Sequence, residues 1–147
     1  MKDIDYVKII TRNIEGWLTD AEGELLYKLA KNCKRRGVIV EIGSWKGKST
    51  IWLAKGSLAG FQTSIVAIDP HTGSSEYPSN QETNTYPEFL ENIAKSKVGN
   101  IITSIVKRSE EAVKDFNEPI ELLFIDGSHE YKAVKNDFEL WFPKLIE

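Results

Sequence analysis

The sequence has a single cysteine and no long apolar run. Cys33 alone cannot form a disulfide within the chain, and no Cys/His cluster has the spacing of a structural zinc site. The first five residues lack the apolar stretch of a secretory signal, and the longest apolar stretches elsewhere have the length of strands. We therefore expect a soluble protein of a reducing, cytoplasmic compartment, with no membrane partner.

The sequence also has little excess of charge. Its 19 Lys and Arg residues against 22 Asp and Glu residues give a net charge of −3, so no broad positive field is available to hold nucleic acid. The length of 147 residues and the 41% of hydrophobic residues are typical of one globular domain. We expect residues 1–147 to form a single domain without a nucleic-acid partner.

Four apolar runs of strand length alternate with helical patterns. The runs lie at residues 38–42, 64–69, 101–106 and 120–125, and the helical patterns follow Thr19, Gly47, Asn84, Arg108 and Asp126. Strands that alternate with helices form parallel pairs joined by right-handed crossovers. The pattern predicts an α/β fold with a Rossmann-like, doubly wound parallel sheet, and ligands at the carboxyl ends of its strands.

Residue spacing also predicts details of the helices. Thr19 and Glu22 have the spacing of a capping box. Ser109 is expected to cap the short helix between the third and fourth strands. The predicted buried face of the helix that begins after Thr19, before the first strand, comprises Leu25, Leu26, Leu29, Ala30 and Cys33. That of the helix after Asn84 comprises Phe89, Leu90, Ile93 and Ala94, and that of the last helix comprises Tyr131, Val134, Phe138, Trp141 and Leu145.

The most informative stretch is residues 41–47, Glu-Ile-Gly-Ser-Trp-Lys-Gly, because two glycines after a strand allow a sharp turn and close approach to a ligand. A phosphate-binding P-loop requires four residues between its glycine and Gly-Lys-Ser, and only three separate Gly43 from Gly47. In the dinucleotide fingerprint the position of Trp45 is a glycine. A degenerate P-loop nucleotidase that uses Lys48 and Ser49 remains a weaker alternative.

The pattern of an acidic residue, one residue, glycine, three residues and glycine resembles motif I of class I S-adenosylmethionine-dependent methyltransferases. Asp69 ends the second predicted strand, where that family places a carboxylate that accepts the ribose hydroxyls. The resemblance implies S-adenosylmethionine as cofactor. The cofactor-binding residues that it implies are Glu41, Gly43, Ser44, Gly47, Asp69, Ser109 and Asp126.

The stretch from Asp126 to Tyr131 resembles the Asp-Gly-x-His-x-Tyr sequence of small O-methyltransferases of the macrocin and catechol type, also described as methyltransferase 24-like. The resemblance implies that Asp126 lies at the methyl-transfer centre and binds a divalent metal such as Mg²⁺. It also implies that His129 acts as a base toward the acceptor. Asp126 and His129 are therefore the candidate catalytic residues.

The chain departs from this family at its C-terminus, where class I methyltransferases carry further strands after the fourth. We expect a truncated methyltransferase fold whose open sheet edge favours a homo-oligomer. The leading hypothesis is methyl transfer to a hydroxyl of a small-molecule or sugar acceptor. The alternative is a non-catalytic nucleoside-binding or scaffolding module of the same fold. The polar residues 70–84 are expected to form either a substrate lid or a plain surface loop, with His71 exposed.

Overall fold

The computed structural model describes residues 3–73 and 83–147. The helices and strands of these residues, in chain order, are α1 (Asp3–Thr11), α2 (Asp20–Asn32), β1 (Val38–Ile42), α3 (Lys48–Leu58), β2 (Ile65–Ile68), α4 (Tyr86–Lys95), β3 (Ile102–Ile105), α5 (Ser109–Asp115), β4 (Ile120–Ile125) and α6 (Tyr131–Trp141). Helix α1 was not predicted, although Ile4, Val7 and Thr11 have helical spacing and Val7 is buried.

The four strands form one parallel sheet in the order β3-β2-β1-β4, which confirms the predicted α/β class. Strands β1 and β2 lie in the middle and every one of their residues is buried. Strands β3 and β4 flank them and are only partly buried. Because parallel strands end at the same edge of a sheet, the segments that follow β1, β2 and β4 come together there.

Helices cover both faces of the sheet. On one face, α1 to α4 enclose a cluster that includes Trp52, Ile39 and Phe89. On the other face, α5 and α6 enclose a smaller cluster around Phe116 and Trp141. No helix in residues 3–73 or 83–147 is both long and apolar enough to cross a membrane.

Helix α2 begins with the predicted capping box, since the Thr19 hydroxyl accepts the Glu22 N–H and the Glu22 carboxylate accepts the Thr19 N–H at 2.8 Å. The predicted buried face is wrong in part, because Leu25 and Leu29 are exposed. Helix α2 instead packs on α3 through Gly23, where a Cβ would lie 2.4 Å from the Trp52 ring. The face of α2 that includes Gly23 is therefore the buried one, and Leu26, Tyr27 and Ala30 lie on it. In α4, similarly, Phe89 and Ile93 are buried but Leu90 and Ala94 are exposed.

The predicted face of α6 is wrong at three positions. Tyr131 is 79% exposed, and Val134 and Phe138 are also exposed, whereas Trp141 is buried as predicted. The inward position one turn before Trp141 is taken by Asp137. Burial raises the pKa of the Asp137 carboxyl, and an interaction with the Ser109 side chain of α5 opposes this rise, so a polar contact lies between α5 and α6.

Ser109 also does not cap α5. The cap position is Arg108, which makes no side-chain capping bond, and Ser109 is the first helical residue. Its hydroxyl instead accepts the Trp141 Nε1–H at 2.8 Å. Ser109 therefore joins α5 to α6. After α6, the Ile146 N–H donates to the Ile120 carbonyl at 2.9 Å, so Leu145 and Ile146 lie along the outer edge of β4.

Candidate functional site at the carboxyl ends of β1, β2 and β4

The turn after β1 depends on two glycines in the left-handed region. Gly43 and Gly47 both have φ of +88°, a conformation that L side chains rarely adopt. A Cβ on Gly43 would lie 2.4 Å from the Asp126 carbonyl oxygen, and a Cβ on Gly47 would lie 3.1 Å from the Phe89 ring. The sequence predicts that Gly43 allows close approach of a ligand. The structure shows that its missing side chain admits the backbone that follows β4.

Asp69 ends β2 as predicted and connects it to the turn after β1. Its Oδ2 accepts the Trp45 N–H at 2.8 Å, and its Oδ1 accepts the His71 N–H at 2.6 Å. Both donors are non-glycine residues in the left-handed region, with φ of +43° for Trp45 and +58° for His71. The carboxylate is thus held at both oxygens by main chain from two different segments.

His71 is buried, which corrects the expectation of an exposed loop histidine. Its Nδ1 lies 2.9 Å from the Thr85 hydroxyl, and its ring packs against Tyr86 and Phe89 with centroids 5.0 and 5.3 Å away. Burial lowers the pKa of His71 below 6.5, while the charge of Asp69 acts in the opposite direction. The predicted lid or loop at residues 70–84 falls mostly on residues 74–82, which lie outside the described residues.

Glu41 is fully buried beneath the turn. Its two carboxylate oxygens accept the hydroxyls of Ser49 and Thr50, each at 2.5 Å, from the first turn of α3. Burial raises the pKa of Glu41 to about 7, and the two hydroxyl bonds oppose that rise. Glu41 therefore contacts α3, and its predicted contact with a cofactor stays a prediction.

Ser44 lies inside the turn and is 2% exposed. Among the described residues, its hydroxyl is the buried side-chain polar atom that has no hydrogen-bond partner. Burial of an unsatisfied hydroxyl costs about 1–3 kcal/mol, so such an atom is a candidate for contact with a polar ligand group. The cofactor-binding role predicted for Ser44 stays a prediction.

The segment after β4 brings Asp126 and His129 to the same edge. The Asp126 N–H donates to the Ile42 carbonyl at 2.8 Å, which extends the pairing of β1 with β4. Both residues are exposed. Partial desolvation raises the pKa of the Asp126 carboxyl, and the charge of His129 opposes this rise.

A metal site at Asp126 finds no support in these residues. Within residues 3–73 and 83–147, no group of three or more His, Cys, Asp or Glu side chains could hold a metal ion. The Mg²⁺ that the resemblance implied at Asp126 therefore stays a prediction. Ser109 is engaged between α5 and α6, as described above, so its predicted contact with a cofactor stays a prediction.

Sequence reasoning missed the aromatic contacts around the turn. Trp17, in the segment between α1 and α2, stacks on Trp45 with ring centroids 5.4 Å apart and planes 13° apart. Lys46 binds Glu15 and Glu88 at 2.5 and 3.1 Å. No spacing in the sequence connects Trp45 to Trp17.

Comparison with known proteins gives one family match. A family model described as a methyltransferase domain, of the methyltransferase 24 type, matches residues 40–147. These residues include the last three residues of β1, all of β2 to β4 and the three segments that form the candidate site.

Solved structures show the same fold. The cofactor-bound Rv0187 structure from MTB has a TM-score of 0.69 at 20% identity, covering 100% of this chain and 62% of that one. The O-methyltransferase TomG from Streptomyces achromogenes, in complex with SAM, has a TM-score of 0.67 at 18% identity, with coverages of 99% and 61%. An O-methyltransferase from Bacillus cereus, in complex with SAH, has a TM-score of 0.69 at 18% identity, with coverages of 99% and 62%. The chain thus spans less than two thirds of the length of these proteins.

Proposed function

This chain belongs to the methyltransferase domain family whose model matches residues 40–147, and on that premise we propose that it binds S-adenosylmethionine where β1 and β2 end. The observation that carries the proposal is the Asp69 carboxylate, held by the N–H groups of Trp45 and His71. Each carboxylate oxygen can accept two hydrogen bonds. Asp69 can therefore accept two ribose hydroxyls without releasing either main-chain donor.

Two further features support the same ligand. The unpaired Ser44 hydroxyl offers one polar contact inside the turn, and Gly47 begins α3 without a side-chain cap, so N–H groups of the first turn are available. These groups suit the polar methionyl part of the cofactor. The TomG and Bacillus cereus structures hold SAM and SAH on the same fold, as their descriptions state.

We further propose that the whole protein methylates a hydroxyl of a small molecule or sugar. When bound, S-adenosylmethionine supplies a methyl group on a sulfonium. The carbon–oxygen bond forms as the carbon–sulfur bond breaks, with its electron pair passing to sulfur, and the hydroxyl proton must leave. His129 would accept that proton, with Asp126 beside the reacting oxygen.

Calorimetry with S-adenosylhomocysteine tests the cofactor site. We expect saturable binding by the chain and a loss of about tenfold or more in affinity for Asp69→Ala, because charge-assisted bonds to the ribose are removed. Asp115→Ala is the matched control, since its carboxylate is exposed and lies at the end of α5. Equal affinities for wild type and Asp69→Ala would contradict the ribose role.

The non-catalytic alternative is favoured by one observation, the exposure of both Asp126 and His129. It expects S-adenosylhomocysteine to bind but no methyl transfer by the whole protein. The nucleotidase alternative loses support because the Ser49 hydroxyl is buried and donates to Glu41, so it is not available to a metal–phosphate group. A homo-oligomer through the sheet edge stays a prediction, and light scattering would test it.

A further inference from the structure

We infer that His71 and Trp45 are positioning residues, which fix the Asp69 carboxylate in the direction required by a ribose. The inference rests on the proposed cofactor site and goes beyond it, because neither side chain is assigned a contact with the cofactor. Each residue donates its main-chain N–H to a different oxygen of Asp69, at 2.6 Å and 2.8 Å. Together they remove the freedom of the carboxylate to rotate.

Both donors depend on an unfavourable backbone conformation. The left-handed region is unfavourable for a non-glycine residue and persists only where the surroundings enforce it. In this conformation the N–H of Trp45 and the N–H of His71 both point at Asp69. Since φ is the rotation about the N–Cα bond, and the ring of each residue is held by its neighbours, a change to negative φ would displace the N–H, and one oxygen of Asp69 would lose its donor.

Aromatic contacts hold each of the two residues in place. The Trp45 ring is stacked on Trp17, which comes from the segment before α2. The His71 ring is buried between Tyr86 and Phe89 of α4, and its Nδ1 is within hydrogen-bond distance of the Thr85 hydroxyl.

Main-chain bonds complete the anchoring of His71. Its carbonyl accepts the Thr85 N–H at 3.1 Å, so both its side chain and its main chain are attached to the start of α4. Phe89 in turn meets the position of Gly47, where a Cβ would lie 3.1 Å from its ring. The start of α4 thereby connects His71 to the turn after β1, and a change at His71 is transmitted to Asp69 from two directions.

A carboxylate fixed in advance binds more tightly because it pays no ordering cost when the ligand arrives. The benefit applies only to a ligand that has ribose hydroxyls. A positioning role therefore predicts a selective loss: variants of the anchors weaken binding of S-adenosylhomocysteine, while an analogue without ribose hydroxyls is much less affected. General damage to the fold would weaken both ligands equally.

The test compares His71→Ala with His71→Asn by calorimetry, using S-adenosylhomocysteine and its 2′,3′-dideoxy analogue. Both substitutions remove the buried ring, but asparagine tolerates positive φ much better than alanine. We expect His71→Ala to lose about tenfold in affinity for S-adenosylhomocysteine and less than about threefold for the analogue. His71→Asn should recover part of the loss, because it keeps the tolerance of positive φ but not the contacts of the ring.

Trp17→Ala gives an independent measurement, because Trp17 is 68% exposed and its removal should not unfold the chain. Phe61→Ala, at another exposed aromatic residue, is its control. Trp17→Ala should show the same selective loss, and it decides the question if His71→Ala does not fold. Equal losses for the two ligands, or no rescue by asparagine, would overturn the inference while the cofactor site stands. Failure of the wild type to bind S-adenosylhomocysteine would instead overturn the proposed function itself.

Discussion

The two sides of the candidate site differ in how firmly they are held. The β1–β2 side consists of residues 41–47 together with Asp69 and His71, and the β4 side consists of residues 126–129. On the β1–β2 side, Glu41 and His71 are buried and hydrogen-bonded, and Asp69 has a main-chain donor on each oxygen. On the β4 side, Asp126 and His129 are exposed. Preorganisation is concentrated where we propose that the cofactor binds.

The sheet explains this difference. Strands β1 and β2 lie in its middle, covered on both faces, so the segments that leave them start from fixed positions. Strand β4 lies at the edge, and α6 contributes Trp141 to the core while Tyr131 and Phe138 remain exposed. The first turn of α6, which follows residues 126–129, therefore has few buried contacts to hold it in place.

Gly43→Ala should have the largest effect on stability, because it disrupts the contact between the turn after β1 and the segment after β4. The new Cβ would lie 2.4 Å from the Asp126 carbonyl oxygen, and the φ of +88° disfavours any side chain. We expect a loss of about 2 kcal/mol or more in the free energy of unfolding, measured with urea.

Gly127→Ala, in the segment after β4, is the matched control. A Cβ there would meet its nearest neighbour, the Asp137 carboxylate, at an ordinary 3.6 Å. This variant should stay within about 0.5 kcal/mol of the wild type. If the two alanine variants were equally stable, the turn after β1 would be no more constrained than the turn after β4, and the comparison would fail.

Glu41→Gln should have a smaller effect that depends on pH. The pKa of Glu41 rises from 4.5 when unfolded to about 7 when folded, since burial disfavours its charged form. Its favourable contribution is therefore complete below pH 4.5 and is lost as pH increases through about 7. The amide lacks this titration, so the Tm of Glu41→Gln relative to wild type should rise between pH 4.5 and 7, by roughly 5 °C. Glu139→Gln, on the exposed face of α6, is the control. A difference in Tm that does not change with pH would show that Glu41 does not titrate in this range.

The sheet could be predicted from the sequence because its signals are local. Alternating apolar runs fixed four strands to within a residue or two, and the capping box located the start of α2. The helix faces were less predictable, because they depend on neighbours distant in sequence. Gly23 turns α2 by allowing Trp52 close, and the contact of Asp137 with Ser109 turns α6. The spacing of hydrophobic residues alone predicts neither effect.

Some residues of the candidate site could likewise be predicted from the sequence, and others could not. Gly43, Gly47 and Asp69 follow strands in a recognisable pattern, and the structure places all three where β1 and β2 end. His71 looked like an exposed loop residue, because nothing in the sequence indicates that Thr85 and Phe89 enclose it. The positive φ of Trp45 could not be predicted either, since glycine is the residue that normally marks such positions.

His129→Ala should have the smallest effect on stability and the clearest effect on reaction. The residue is exposed on the loosely held β4 side, so the free energy of unfolding should change by less than about 0.5 kcal/mol. Affinity for S-adenosylhomocysteine should stay within about twofold, since the cofactor contacts lie on the β1–β2 side. Methyl transfer by the whole protein should fall by about a hundredfold if His129 is the base. A variant that lost cofactor affinity as well would show that the two sides are coupled, because a rigid β1–β2 side should not sense a change at an exposed position on the other strand end.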